Sequence, residues 1–155
     1  MISPTPSLLP PADPLALQFA LHGSIALLLG LIGGLFFARA IKTRHGEVAW
    51  RVVHAGGCAA GAMLLAIAMP SQWVTLSRTL AIAMGIGFIV GSYLLCAGMY
   101  VAAIWDVRGI PGGGSRLNRV VSALYAAGTI LALFGSVLLT LGLLRSAFAP
   151  AAAAG

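Results

Sequence analysis

Three observations predict an all-α integral membrane protein, an antiparallel bundle of four transmembrane helices. Sixty per cent of the 155 residues are hydrophobic and 8% are charged, whereas a soluble domain carries roughly a quarter charged residues. Mean hydropathy is +1.02. Four apolar runs, each long enough for the ~20 residues that a bilayer crossing requires, alternate with short segments that hold most of the Lys and Arg. One domain fits this length, and its core is helix against helix within lipid.

The elements follow in order. Residues 1–14 hold Pro4, Pro6, Pro10, Pro11 and Pro14 with one acid, Asp13, and read as a Pro-rich segment without helix. No Lys or Arg precedes Arg39, so the positive n-region of a secretory signal is lacking and none is expected. The transmembrane domain covers 15–145. Its first span is 15–38, closed by Arg39, Lys42 and Arg44. A polar turn leads to the second span, 49–69, which Pro70 stops. The connection 71–78 is brief, with Trp73 suited to the interface. A third span, 79–104, ends at Trp105-Asp106. The loop 107–116 contains Gly112-Gly113-Gly114, whose backbone freedom suits a turn. The fourth span is 117–144, and 146–155 is a flexible Ala/Pro tail.

The net charge of +6 is spread over loops and forms no patch for nucleic acid. Seven basic residues (Arg39, Lys42, Arg44, Arg51, Arg108, Arg116 and Arg119) flank the first and third loops, and two (Arg78 and Arg145) lie on the other side. Positive residues favour the cytoplasm. The expected location is therefore the bacterial cytoplasmic membrane with both termini outside the cytoplasm. Cys58 and Cys96 fall inside spans with no CxxC pattern, and read as packing residues.

Small residues mark the helix contacts. Gly30-x-x-x-Gly34, Gly57-x-x-x-Gly61 and Gly87-x-x-x-Gly91 lie on the first three helices, and Gly128, Gly135 and Gly142 stripe the fourth. Such positions let backbones approach closely, which drives association in lipid where hydrophobicity cannot.

Little chemistry is available inside the spans. His22, His54, Tyr93, Tyr100, Tyr125 and the two thiols are the groups able to bind a metal or exchange a proton, and no carboxylate or lysine accompanies them. That excludes acid-pair hydrolysis, a carboxylate proton relay and a serine triad. The glycine loop follows no strand and lacks the Walker lysine, so it is no phosphate cradle. What remains is an electrophile brought by a cofactor, and a haem held by histidine fits. His54 opens the second span in Trp50-Arg51-Val52-Val53-His54-Ala55-Gly56-Gly57, about 8 Å below the cytoplasmic surface; His22 lies about 10 Å below the other. Across a core of about 30 Å their heights differ by some 12 Å, so the two cannot ligate one iron. One proximal histidine leaves an open iron position. The alternative for either residue is an interhelical hydrogen bond, which is the favoured reading for His22.

His22-Gly23, Trp50-Arg51-x-x-His54-x-Gly56, Gly61-x-Met63, Gly91-x-Tyr93-Leu94 and Arg116-Leu117 appear in the order found in styrene oxide isomerases, and the chain resembles that family over most of its length. The resemblance implies a small four-helix membrane enzyme that assembles as a homotrimer and binds haem b between subunits. It implies a Meinwald rearrangement of an apolar aryl epoxide to an aldehyde, without net redox change, with ferric iron acting as a Lewis acid. On that resemblance His54 is the iron ligand, and the small residues Gly57 and Gly61 belong to the cofactor site. Tyr93 matches the tyrosine near the substrate, with Tyr100 the alternative seven residues on. One position departs: six residues after the histidine the family carries a side-chain amide and this chain has Ala60. A second reading is a non-catalytic membrane haem protein that senses or carries haem or a gas; a third is a structural four-helix subunit.

Overall fold

Asp13 and Pro14 start the first helix together. The Asp13 carboxylate accepts the Leu15 N–H at 2.9 Å, and Pro14 takes the first helical position, where its missing N–H costs nothing. The structure, a computed structural model, describes residues 13–110 and 114–148. Helices α1 (Pro14–Thr43), α2 (Glu47–Ala68), α3 (Arg78–Trp105) and α4 (Arg116–Phe148) follow one another, with a 3-10 turn at Pro70–Trp73 between α2 and α3. All four are long and apolar enough to cross a membrane. The protein is an all-α integral membrane protein.

The helices overrun the expected spans for local reasons. Arg39, Ala40 and Lys42 are strong helix formers, and Lys42 in the last turn suits the negative end of the helix dipole. α1 therefore persists to Thr43, until Arg44 turns left-handed at φ 53°. At about 1.5 Å per residue its 30 residues exceed a core of about 30 Å, so its end stands among headgroups. Pro70 does end α2, but it also opens the 3-10 turn, so that connection is more ordered than expected. α4 continues through residues 146–148, which the sequence places in the tail. The Pro-rich segment up to residue 12, residues 111–113 of the glycine loop and the tail from residue 149 lie outside the described residues.

The four helices form two tight antiparallel hairpins, α1–α2 and α3–α4. α3 also packs on α1 and α2, whereas among the described residues α4 packs on α3 and the Pro70–Trp73 turn but on neither α1 nor α2. α3 is thus the central helix and α4 the peripheral one. The glycine motifs make both hairpin contacts. A methyl group on Gly57 would sit 2.6 Å from the Gly30 Cα, and one on Gly91 2.9 Å from the Gly128 carbonyl oxygen. The core proper, with Phe19, Leu64, Met84 and Phe88 buried, fills the half of the bundle near the start of α1. Phe19 and Phe88 meet edge to face at 6.1 Å. The half containing His54 is built differently.

Candidate functional site

His54 sits in the second turn of α2, half-buried, with its ring laid on α1. Its Nδ1 lies 2.9 Å from the carbonyl oxygen of Gly30. A carbonyl only accepts, so Nδ1 is the donor, and in the neutral ring the lone pair is then on Nε2. The ring occupies the space left by Gly34, where a methyl group would come within 2.9 Å of Nδ1. Phe37 stacks beside it at 6.5 Å between centroids, and the Cys58 thiol, one turn on, is 3.7 Å from Nδ1. Histidines that bind metal almost always donate their other N–H to a carbonyl or carboxylate, which fixes the tautomer. The Gly30 carbonyl offers His54 such a partner.

The direction of the ring follows from helix geometry. Gly56 faces α3, where a methyl group would run into the Met99 thioether. Two residues turn a helix by about 200°, so His54 points away from α3. α4 reaches neither α1 nor α2. The walls beside the imidazole are thus its own helix and α1, and beyond them is the outer surface. Leu31, on the same stripe of α1 as Gly34, is 54% exposed there.

Among the described residues no group of three His, Cys, Asp or Glu converges. A metal that brings most of its own donors, as a haem does, would need one nitrogen from the protein, and Nε2 of His54 could supply it.

The other candidates are placed as follows. Gly57 and Gly61, expected at the cofactor, are used up in the α1–α2 contact: Gly57 meets Gly30, and a methyl group on Gly61 would lie 2.7 Å from the Leu27 Cα. The structure thus assigns both to closing the hairpin on which His54 is mounted. Tyr93 is paired with His22, hydroxyl to Nδ1 at 2.9 Å, with the rings edge to face at 5.6 Å. The interhelical hydrogen bond expected of His22 is present. Tyr100 donates to the Leu29 carbonyl at 2.6 Å. Since His54 bonds Gly30, the two side chains grip α1 at one level, on adjacent carbonyls, from different flanks. Tyr93 lies two turns from that level, about 10 Å away along α3.

An aromatic cluster surrounds this level, and most of it escaped the sequence reading. Trp50, one turn before His54, stacks on Phe36 at 4.6 Å and meets Tyr100 edge to face at 6.0 Å. Phe36 and Phe37 read as ordinary span residues. Their signal was adjacency: two aromatics just before the Arg39 boundary, where rings gather at an interface. Gly34 was read as packing only, when its missing side chain makes the seat for His54.

No curated protein matches the chain. The family model described as styrene oxide isomerase matches residues 15–145, which takes in all four spans and every side chain of the His54 site. The chain belongs to the styrene oxide isomerase family.

Proposed function

We propose that the protein isomerises aryl epoxides to aldehydes, using a haem b bound through Nε2 of His54. The supporting observation is the Nδ1–H···O=C bond from His54 to Gly30, which holds the unprotonated nitrogen outward on an open apolar face. The haem, when bound, supplies a ferric Lewis acid for the epoxide oxygen, worth several kcal/mol without transfer of a proton.

The chain's own residues do the rest. Gly34 and Phe37 hold the imidazole plane. Trp50 and Phe36 offer aromatic surface next to that level, suited to an aryl substrate that partitions from lipid. Exclusion of water keeps a cationic ring-opened species from being trapped as a diol. We assign the substrate-side tyrosine to Tyr100 ahead of Tyr93 because Tyr100 shares the level of His54; both hydroxyls are engaged within the protomer, Tyr100 with the Leu29 carbonyl and Tyr93 with His22.

His54 and Tyr100 stand on different faces of one protomer, so a closed site needs the His54 face of one copy against the α3 side of the next. An interface of two unlike faces is heterologous, and such interfaces close into rings. This favours the trimer over a two-fold dimer, which would set two His54 faces together. The excess of basic residues at the ends of the first and third loops supports the bacterial cytoplasmic membrane, with the site near the cytoplasmic side.

The test is single-turnover conversion of styrene oxide to phenylacetaldehyde by anaerobic, haem-loaded protein, with the Soret band followed alongside. Aldehyde should form while the iron stays ferric. A fully loaded sample that converts none of several aryl epoxides would overturn the reading. Ala60→Asn in that sample then asks whether the missing amide is the cause.

A further inference from the structure

At the end of the bundle opposite His54, a cleft of about 800 Å3 opens between the first halves of α1 and α3, above the Pro70–Trp73 turn. It borders the core through Leu15, Val74 and Ile89 and lies apart from the His54 site. Volumes of several hundred Å3 are those of ligand sites, and this one is open on its lipid side.

Its mouth is charged, and its depth is apolar except for His22, which is paired with Tyr93. Asp13, at the start of α1, and Arg78, at the start of α3, stand on different walls of the mouth. Gln18 and Gln72 add hydrogen-bonding groups just inside. Below them α3 contributes Ile82, Ile86, Ile89 and Val90, spaced so that they share one face of the helix. From Arg78 to Val90 that strip runs about 18 Å. Ile82 and Ile86 are half-exposed, so none of the described residues covers the strip.

We propose that the cleft binds one phospholipid with a zwitterionic, primary-ammonium headgroup. The phosphate lies on Arg78, the ammonium on Asp13, and one acyl chain along the isoleucine strip. The charges decide the occupant. A neighbouring transmembrane helix or a neutral aromatic would bury an arginine and an aspartate against apolar surface, which is costly. An anionic lipid would satisfy Arg78 and be repelled by Asp13. A headgroup carrying both charges satisfies both.

The experiment uses the full-length protein in mild detergent, with native mass spectrometry against phosphatidylethanolamine and phosphatidylglycerol of identical acyl chains. Wild type should retain one phosphatidylethanolamine per protomer at least tenfold more tightly than phosphatidylglycerol. Glycerophosphoethanolamine, the headgroup without acyl chains, should not displace it at equal concentration. Arg78→Gln should lose at least tenfold in retention. Asp13→Asn keeps the helix cap, since Asn caps as well as Asp, and should make the two lipids equivalent. Both sites are at the surface, and unchanged thermal unfolding of each variant separates lost binding from lost fold. Phosphatidylethanolamine with a diazirine on its acyl chain should label the α3 segment 82–90. Equal retention of both lipids by wild type, unaltered retention in Arg78→Gln, or labelling outside that segment would overturn the proposal. Labelling that disappears when protomers assemble would give the cleft to a second copy and overturn it equally.

Discussion

The α1–α2 and α3–α4 hairpins are closed by the same device and end in different things. In α3–α4 the space left by Gly87 and Gly91 is filled with backbone, a methyl group on Gly87 meeting the Leu131 carbonyl oxygen at 2.8 Å and one on Gly91 that of Gly128 at 2.9 Å, while the Tyr125 ring closes on Gly98. In α1–α2 the contact begins the same way, at Gly30 and Gly57, but one turn along α1 the space at Gly34 is filled by an imidazole. A glycine that admits backbone builds scaffold, and one that admits a polar side chain builds a mount. The hairpin carrying the mount faces outward, and its partner supplies rigidity.

The largest effect that tests this difference is expected at His54. His54→Ala should remove the Soret band almost completely while the protein still inserts and assembles, because glycine contacts and not the imidazole close the hairpin. His22→Ala breaks only its bond to Tyr93 and should leave most of the haem. Haem per protomer, from the pyridine haemochrome spectrum, checks both. Full occupancy in His54→Ala would end the assignment of the ligand.

How much of this was legible in the sequence divides along the same line. The four spans and the glycine contacts were legible because lipid leaves few alternatives: every backbone group must pair within a helix, and only small residues let helices approach. His54 was legible because an ionisable group inside a span is rare and costly. Which way it pointed was not, since that depends on Gly34, on α1, and on Met99 opposite Gly56. The partners of the two tyrosines were not legible for a similar reason. Tyr93 and Tyr100 share a helical face in sequence, and only the tertiary structure gives Tyr93 to His22 and Tyr100 to the level of His54.

Glycine substitutions sharpen the comparison directly. Gly34→Ala pushes on a side chain that can swing aside, so the fold should survive and haem affinity should fall by about 10- to 100-fold, as when a second-shell partner is lost. Gly87→Ala pushes on backbone that cannot yield, and should cost about 1–3 kcal/mol of stability with haem affinity unchanged in whatever protein folds. Haem titration and thermal unfolding of both variants form the test. Loss of haem from both in equal measure would mean that the hairpins do not differ as described.

A smaller effect is expected at the tyrosines. Tyr100→Phe should lower turnover of styrene oxide about tenfold with haem retained, which corresponds to one hydrogen bond of ~1.4 kcal/mol. Tyr93→Phe should matter less, since its hydroxyl serves His22. Single-turnover rates of the two variants at matched haem content decide the order, and a larger loss at Tyr93 would restore it as the substrate tyrosine.

The smallest effect on activity is expected in the scaffold hairpin, at Asn118. This buried side chain clamps the loop between α3 and α4: its Oδ1 accepts the N–H groups of Gly109 at 2.8 Å and Ile110 at 3.3 Å, and its Nδ2 donates to the Ile110 carbonyl at 2.7 Å. Gly109 is held there at φ 67°, a conformation other residues resist. Asn118→Ala leaves those loop groups without their partner and should cost about 1–3 kcal/mol. Asn118→Asp keeps the acceptor and loses the donor, setting a carboxylate near the Ile110 oxygen, and should cost a similar amount or more. Asn118 stands on α4, which among the described residues packs on neither α1 nor α2, so haem content and turnover per folded protein should stay within about twofold of wild type. Thermal unfolding read beside haem content makes the comparison. A variant that unfolds no earlier but sheds its haem would show that the scaffold hairpin reaches the site after all, through α3 and the Met99 contact with Gly56.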